Sequence, residues 1–266
     1  MNRQHPPQRL DDRFSDGLHS AWQVSEVGGS HVTADAGTLR LTNMPHAGYS
    51  NAQIADYGAD YDFVWRPPLR LTVRAQASAP AADLHGTAGF GFWNHPFSPD
   101  RRRLPRLPQA IWFFFSSPPS NMRLAKGVPG PGWKAATIDA TTTRALLWAP
   151  LAPPILLLNR WPRFYRAVWP RVQRALKISE RLLDGVLLAE PHTYSLEWHA
   201  DGTRFAVDGT TAHETADAPR GPAGFVAWID NQYAVVTPEG QFAFGTTPIL
   251  REQNLLLTQV TIERGV

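Results

Sequence analysis

The 266-residue sequence predicts an all-β fold, an antiparallel β-sandwich interrupted by one helical insertion. Three observations carry that expectation. Outside residues 136–189 the chain runs as short apolar-alternating segments separated by Gly, Pro, Asn and Asp, the pattern of half-buried antiparallel strands. Asp201-Gly202 stands between two such segments as a hairpin loop, and Asp208-Gly209 closes the second. Only Arg160–Asp184 sorts, at a helical step of about 100° per residue, into two nearly clean faces.

In chain order, Thr38–Thr42 alternates Leu with polar residues, Asn51–Ile54 follows a Gly-Tyr-Ser turn, and Leu69–Ala75 alternates over a full strand length. Thr87–Asn94 and Ala110–Phe115 are apolar and aromatic-rich, as strands with little solvent exposure are. Gly127–Gly132 (GVPGPG) reads only as a loop. His192–His199 and Arg204–Val207 flank the Asp-Gly hairpin, and Ala223–Ile229 and Leu255–Glu263 complete the series. No internal repeat of fixed period occurs. The expected organisation is a discontinuous β domain over residues 10–135 and 190–266, split by an insert over 136–189.

Within the insert, Ala145–Asn159 is almost wholly apolar, yet it carries three prolines and falls short of the ~20 residues that span a bilayer. The helix after it places Arg163, Arg166, Arg171 and Arg174 on one arc and Trp161, Phe164, Trp169 and Val172 opposite. Residues 144–181 carry a net +7 in a chain of net +3. Pro162 suits a first helical turn, whereas Pro170 lies in the interior and predicts two short helices. A basic helix with aromatic residues on its apolar side fits an anionic membrane surface, with Trp161, Arg163, Phe164, Arg166, Trp169, Arg171 and Arg174 in contact. The same stripe equally suits burial in the protein's own core or in an oligomer interface. No nucleic-acid module surrounds the arginines, so no nucleic-acid partner is expected.

Apolar residues make up 43% of the chain and aromatics 11%, enough for one large β domain or two small ones. Ten tryptophans favour a site lined by aromatics. Absence of cysteine excludes disulfides, thiolate metal sites and a cysteine nucleophile. The N-terminal stretch lacks an apolar secretory run, which predicts a cytoplasmic protein, peripheral on the inner face of the membrane.

Tyr194–Thr210 (YSLEWHADGTRFAVDGT) resembles the hairpin of concanavalin A-like lectin/glucanase sandwiches, especially glycoside hydrolase family 16. Gly37–Asn43, Gly48–Ile54, Gly86–Asn94 and Pro222–Ala234 follow in the order of that family, so the resemblance covers most of residues 10–135 and 190–266 and implies a jelly roll. It does not include the insert. It also implies a Glu-x-Asp-x-(x)-Glu strand, and the matching strand, Gln109–Ser117, contains no acid. Retaining glycosidases need two carboxyl groups ~5 Å apart, so family-type hydrolysis is not expected.

Two polar clusters stand beside aromatics: Asn94 and His95 after Trp93, and Asp230, Asn231 and Gln232 after Trp228. His95 and Asp230 form an acid/base pair if both face one cleft; otherwise they cap a turn and end a strand. The resemblance and the aromatic content nominate Trp93, Asn94, Trp112, Phe114, Trp228 and Gln232 for binding a lipophilic small molecule or, alternatively, a glycan. Glu197 reads as the solvent-facing member of its strand. No histidine or acid spacing marks a catalytic metal, and no cofactor is expected. DYGADYD offers Asp56, Asp60 and Asp62 to a structural calcium and equally reads as a polar loop.

Overall fold

The computed structural model describes residues 8–57, 61–95 and 106–265. The strands are β1 (Arg9–Asp12), β2 (Gln23–Val27), β3 (His31–Asp35), β4 (Thr38–Asn43), β5 (Asn51–Ala55), β6 (Leu69–Ala77), β7 (Thr87–Trp93), β8 (Gln109–Ser116) and β9 (Gly132–Asp139). After the helices α1 (Thr143–Trp148), α2 (Ala152–Leu158) and α3 (Pro162–Ala175) come β10 (Ser179–Leu182), β11 (His192–Trp198), β12 (Thr203–Val207), β13 (Thr210–Thr215), β14 (Gly224–Asp230), β15 (Gln232–Val236), β16 (Phe242–Thr246) and β17 (Gln253–Arg264).

Two antiparallel sheets face each other. One runs β13-β12-β11-β6-β17-β4-β3, with β1 also on β17, and the other runs β10-β9-β8-β7-β14-β5-β2. Alternation dictates what lies between them: Phe90 and Phe92 from β7, Ile111, Phe113 and Phe115 from β8, and Phe225, Ala227 and Ile229 from β14 meet Leu71, Val73, Tyr194, Leu196, Trp198 and Val260. All nine expected strands are present. Glu197 faces outward from β11 and pairs with Arg70 at 2.7 Å. The ten tryptophans divide by role: Trp22, Trp65, Trp133 and Trp198 fill this core, Trp93, Trp112 and Trp228 lie on the opposite face of the second sheet, and Trp148, Trp161 and Trp169 belong to the insert.

The insert differs from expectation in three respects. β9 extends to Asp139 and β10 returns to pair with it, so both boundaries set at 136 and 189 fall short of the sheet they interrupt. Arg160–Asp184 is not helical throughout: Lys177 takes φ +48°, Ile178 N donates to Gln173 O (3.0 Å) and Lys177 N to Arg174 O (3.3 Å), a Schellman ending built without glycine. Pro170 does not split the helix, because Trp169 and Val172 on either side of it are buried in one cluster with Ile155, and packing outweighs the ~3 kcal/mol proline penalty. Among the described residues no helix is long and apolar enough to cross a membrane.

Candidate functional site

β8, β7 and β14 lie side by side, and their registers set four rows across the face turned away from the core. The rows are Ser116–Thr87–Asp230, Phe114–Gly89–Trp228, Trp112–Gly91–Val226 and Ala110–Trp93–Gly224. Glycine in the middle of the second row is required by its neighbours: a Cβ on Gly89 would stand 2.3 Å from Phe113 O and 3.0 Å from the Trp228 ring. The bare strand lets flanking rings converge over it. Trp112 lies 5.3 Å from Trp228, 5.4 Å from Phe114 and 6.0 Å from Trp93, centroid to centroid. These four rings, with Val226 and Met122, make a continuous aromatic floor on which Trp93 and Trp112 remain partly exposed.

Polar groups sit at the two ends of the floor. At one, Trp228 Nε1 donates to Thr87 Oγ1 (2.9 Å), which donates to Asp230 Oδ1 (2.7 Å); Thr87 N and Gln232 N donate to the same oxygen. Burial pushes the Asp230 carboxyl up to about 6 against these hydrogen bonds. The neighbouring Tyr49 hydroxyl is raised as well, by burial first and by Asp230 second. At the other end, Trp93 Nε1 donates to Tyr57 Oη (2.5 Å), which lies 3.4 Å from His95 Nδ1, and the His95 ring sits 4.7 Å from that of Trp93.

Trp93, Trp112, Phe114 and Trp228 are therefore brought together, while His95 and Asp230 are not. Asp230 pairs with Thr87 at one end of β7 and His95 follows Trp93 beyond the other; the strand alone separates its two ends by about 20 Å, so the two form no acid/base pair. Sequence alternation specifies a face but not the end of a strand. Asn94 is occupied structurally: Nδ2 donates to Leu107 O and Oδ1 accepts from Gln109 N, both at 2.9 Å. Gln232 is exposed beside Asp230. Of the calcium candidates, Asp56 accepts from Trp65 Nε1 and Phe225 N, and Asp60 lies outside the described residues. No cluster of three histidines or acids suited to a metal occurs among the described residues.

A buried ion pair flanks the floor. Lys134, opposite Phe114 on β9, donates to Met122 O (3.2 Å) and lies 3.6 Å from Glu180 Oε1, while Glu180 Oε2 accepts from Ala125 N (2.9 Å). Burial lowers the Lys134 pKa and raises that of Glu180, each opposed by the other's charge. Neither residue stood out in the sequence, because their meeting depends on β10 joining the sheet. The segment after β8 walls the floor with Met122, and Asn121 binds β15 through Ala234 O and Val236 N.

The insert packs beside this wall. Trp169 Nε1 donates to Leu124 O (2.8 Å), so Trp169 is buried and cannot contact a membrane. Arg163, Arg166, Arg171 and Arg174 are exposed, and Phe164 is half-buried. The exposed apolar surface belongs mainly to the turns before α3: Leu147 is 73% exposed and Trp161 66%, with Leu146, Leu151 and Leu157 beside them in sequence. The apolar stripe of α3 is thus satisfied internally, and α1 and α2 carry the unpartnered surface.

No protein-family model matches the chain, and no curated protein does. Solved structures do. An endo-1,3-β-glucanase from Streptomyces sioyaensis aligns with TM-score 0.51 at 15% identity, covering 98% of both chains. A β-1,3-1,4-glucanase (lichenase) from a mouse hindgut metagenome gives 0.52 at 11%, covering 97% of this chain and all of that one. The Emp47p carbohydrate recognition domain gives 0.51 at 10%, covering 97% and 96%. At these identities the likeness concerns the fold, which is the concanavalin A-like jelly roll of glucanases and lectins. On this chain the outward residues of β8 are Ala110, Trp112, Phe114 and Ser116, none of them acidic.

Proposed function

We propose that the chain is a membrane-peripheral binding protein whose aromatic floor holds a hydrophobic or amphiphilic small molecule. One observation carries the reading: four converging rings with no carboxylate among them, beside which the Asp230 carboxylate is already held by Thr87 and the Asn94 amide by Leu107 and Gln109. A glycan requires several free donors and acceptors along its ring edges, whereas an acyl or terpenoid surface requires only apolar area. Among the described residues the floor holds no pair of carboxyl groups for glycoside cleavage, which favours binding over hydrolysis in this reading.

The second reading is a lectin-like module that stacks sugar rings on Trp93 and Trp112, whose partial exposure suits a pyranose face. Its support is the carbohydrate-recognition and glucanase company of the fold. Calorimetric titration separates the two. Dodecanoate, octyl glucoside below its micelle concentration and a β-glucan hexasaccharide are titrated into intact protein. Heat from dodecanoate and octyl glucoside, with none from the hexasaccharide, is the expected pattern. Saturation by the hexasaccharide alone would establish the lectin reading instead.

A further inference from the structure

We infer that the helical insert carries a seat for the head group of an anionic phospholipid, in the groove between α1 and α3. This inference deepens the membrane-peripheral reading and rests on it. α1 runs against the last turns of α3, where Thr142 Oγ1 donates to Ala175 O at 2.6 Å. The groove left between them has a volume of about 340 Å³ and is lined by Arg144, Arg171, Arg174, Leu147, Trp148 and Ala175. Three arginines thus share one concavity with an apolar wall.

Among the described residues no carboxylate forms an ion pair with the arginines there, although the charge of Arg174 reaches Asp217. Arg171 Nη1 donates to Ala167 O and Arg174 Nε to Pro170 O, bonds made back onto their own helix. Guanidinium forks suit phosphate oxygens, and a phosphodiester would satisfy donors that the protein leaves to solvent. The apolar side of the groove continues into Leu147, Leu146 and Leu151, all exposed, so a lipid whose phosphate sits among the arginines finds acyl-compatible surface beside it. Charge complementarity therefore selects an anionic bilayer over a second copy of this chain, whose insert carries the same excess of cations.

The test uses the intact protein and vesicles of phosphatidylglycerol and phosphatidylcholine. Arg171→Gln with Arg174→Gln removes two groove charges while keeping good helix formers on an exposed face. Lys126→Gln with Arg181→Gln removes two exposed charges near the insert but outside the groove. A seat predicts that the groove pair lowers vesicle partitioning about thirtyfold and the control pair only a fewfold. Equal losses from both pairs would overturn the seat while leaving membrane association standing; no sedimentation of the unaltered protein would overturn both. A second readout exploits the absence of cysteine: Leu147→Cys gives one labelling position for an environment-sensitive dye. Its emission should shift blue with anionic vesicles and stay unchanged with phosphatidylcholine alone or with inorganic phosphate. A shift produced by inorganic phosphate, or one that grows with protein concentration without lipid, would contradict a bilayer as the occupant.

Discussion

Replacing Asp230 by Asn should make the protein's stability less dependent on pH, in a direction fixed by the burial of that carboxyl. Asp230 is 6% exposed and its carboxyl is pushed up to about 6 from an ordinary 3.8. Below pH 4 both folded and unfolded chains hold the proton and the group costs nothing. Between about 4 and 6 only the folded chain holds it, so folding binds a proton and stability falls by about 1.4 kcal/mol per pH unit. Above 6 the folded chain carries a buried charge, and the accumulated cost levels off near 3 kcal/mol. Asn retains an oxygen for Thr87 N, Thr87 Oγ1 and Gln232 N, and it has no proton to release. Asp230→Asn should thus gain on the unaltered protein steadily from pH 4 to 6 and hold a constant advantage of up to about 3 kcal/mol above it. Urea unfolding at half-unit pH steps measures the difference directly, and other titrating groups, including Asp56 with its carboxyl raised to about 7, cancel in it. A stability difference that is constant from pH 4 to 7.5 would refute the argument.

Three further outcomes are expected. Gly89→Ala places a Cβ against Phe113 O and the Trp228 ring, and should cost about 1–3 kcal/mol in unfolding free energy while displacing Trp228, seen as a changed near-UV spectrum. Lys134→Met strands Glu180 in the interior and should cost about 3–5 kcal/mol; adding Glu180→Gln, which still accepts from Ala125 N, should restore most of it, a coupling that a double-mutant cycle reads. Trp169→Ala should cost about 3–5 kcal/mol, whereas Trp161→Ala should fall within about 0.5 kcal/mol and instead reduce vesicle binding.

Most strands buried on at least one face were legible because alternation is a property of the segment itself; β9 (GWKAATID), buried on both faces, lacks that alternation and was not. β2 (QVSEV) and β13 (TTAHET) are largely exposed edge strands with no apolar alternation to read. β10 was hidden differently: Arg181, Leu182 and Leu183 continue the helical period of the preceding residues, and only the Schellman turn at Lys177 and the open edge of β9 convert the segment to a strand. The floor residues were legible for the same reason as the strands, since Trp93, Trp112, Phe114 and Trp228 alternate with core residues. Their partners were not. Asn94 is held by Leu107 and Gln109, and Asp230 by Thr87, contacts that depend on register between strands distant in sequence. Helical periodicity does not say what an apolar stripe packs against: Trp169 and Val172 of α3 cluster with Ile155 of α2 inside the insert.

Photo-crosslinking with a diazirine-bearing fatty acid, followed by peptide mapping, tests the binding role of the floor most directly. The account predicts label on β8 and β14, at Trp112, Phe114 or Trp228, displaced by excess dodecanoate and lost in Trp112→Ala. Label confined to the insert, or none that dodecanoate displaces, would contradict it.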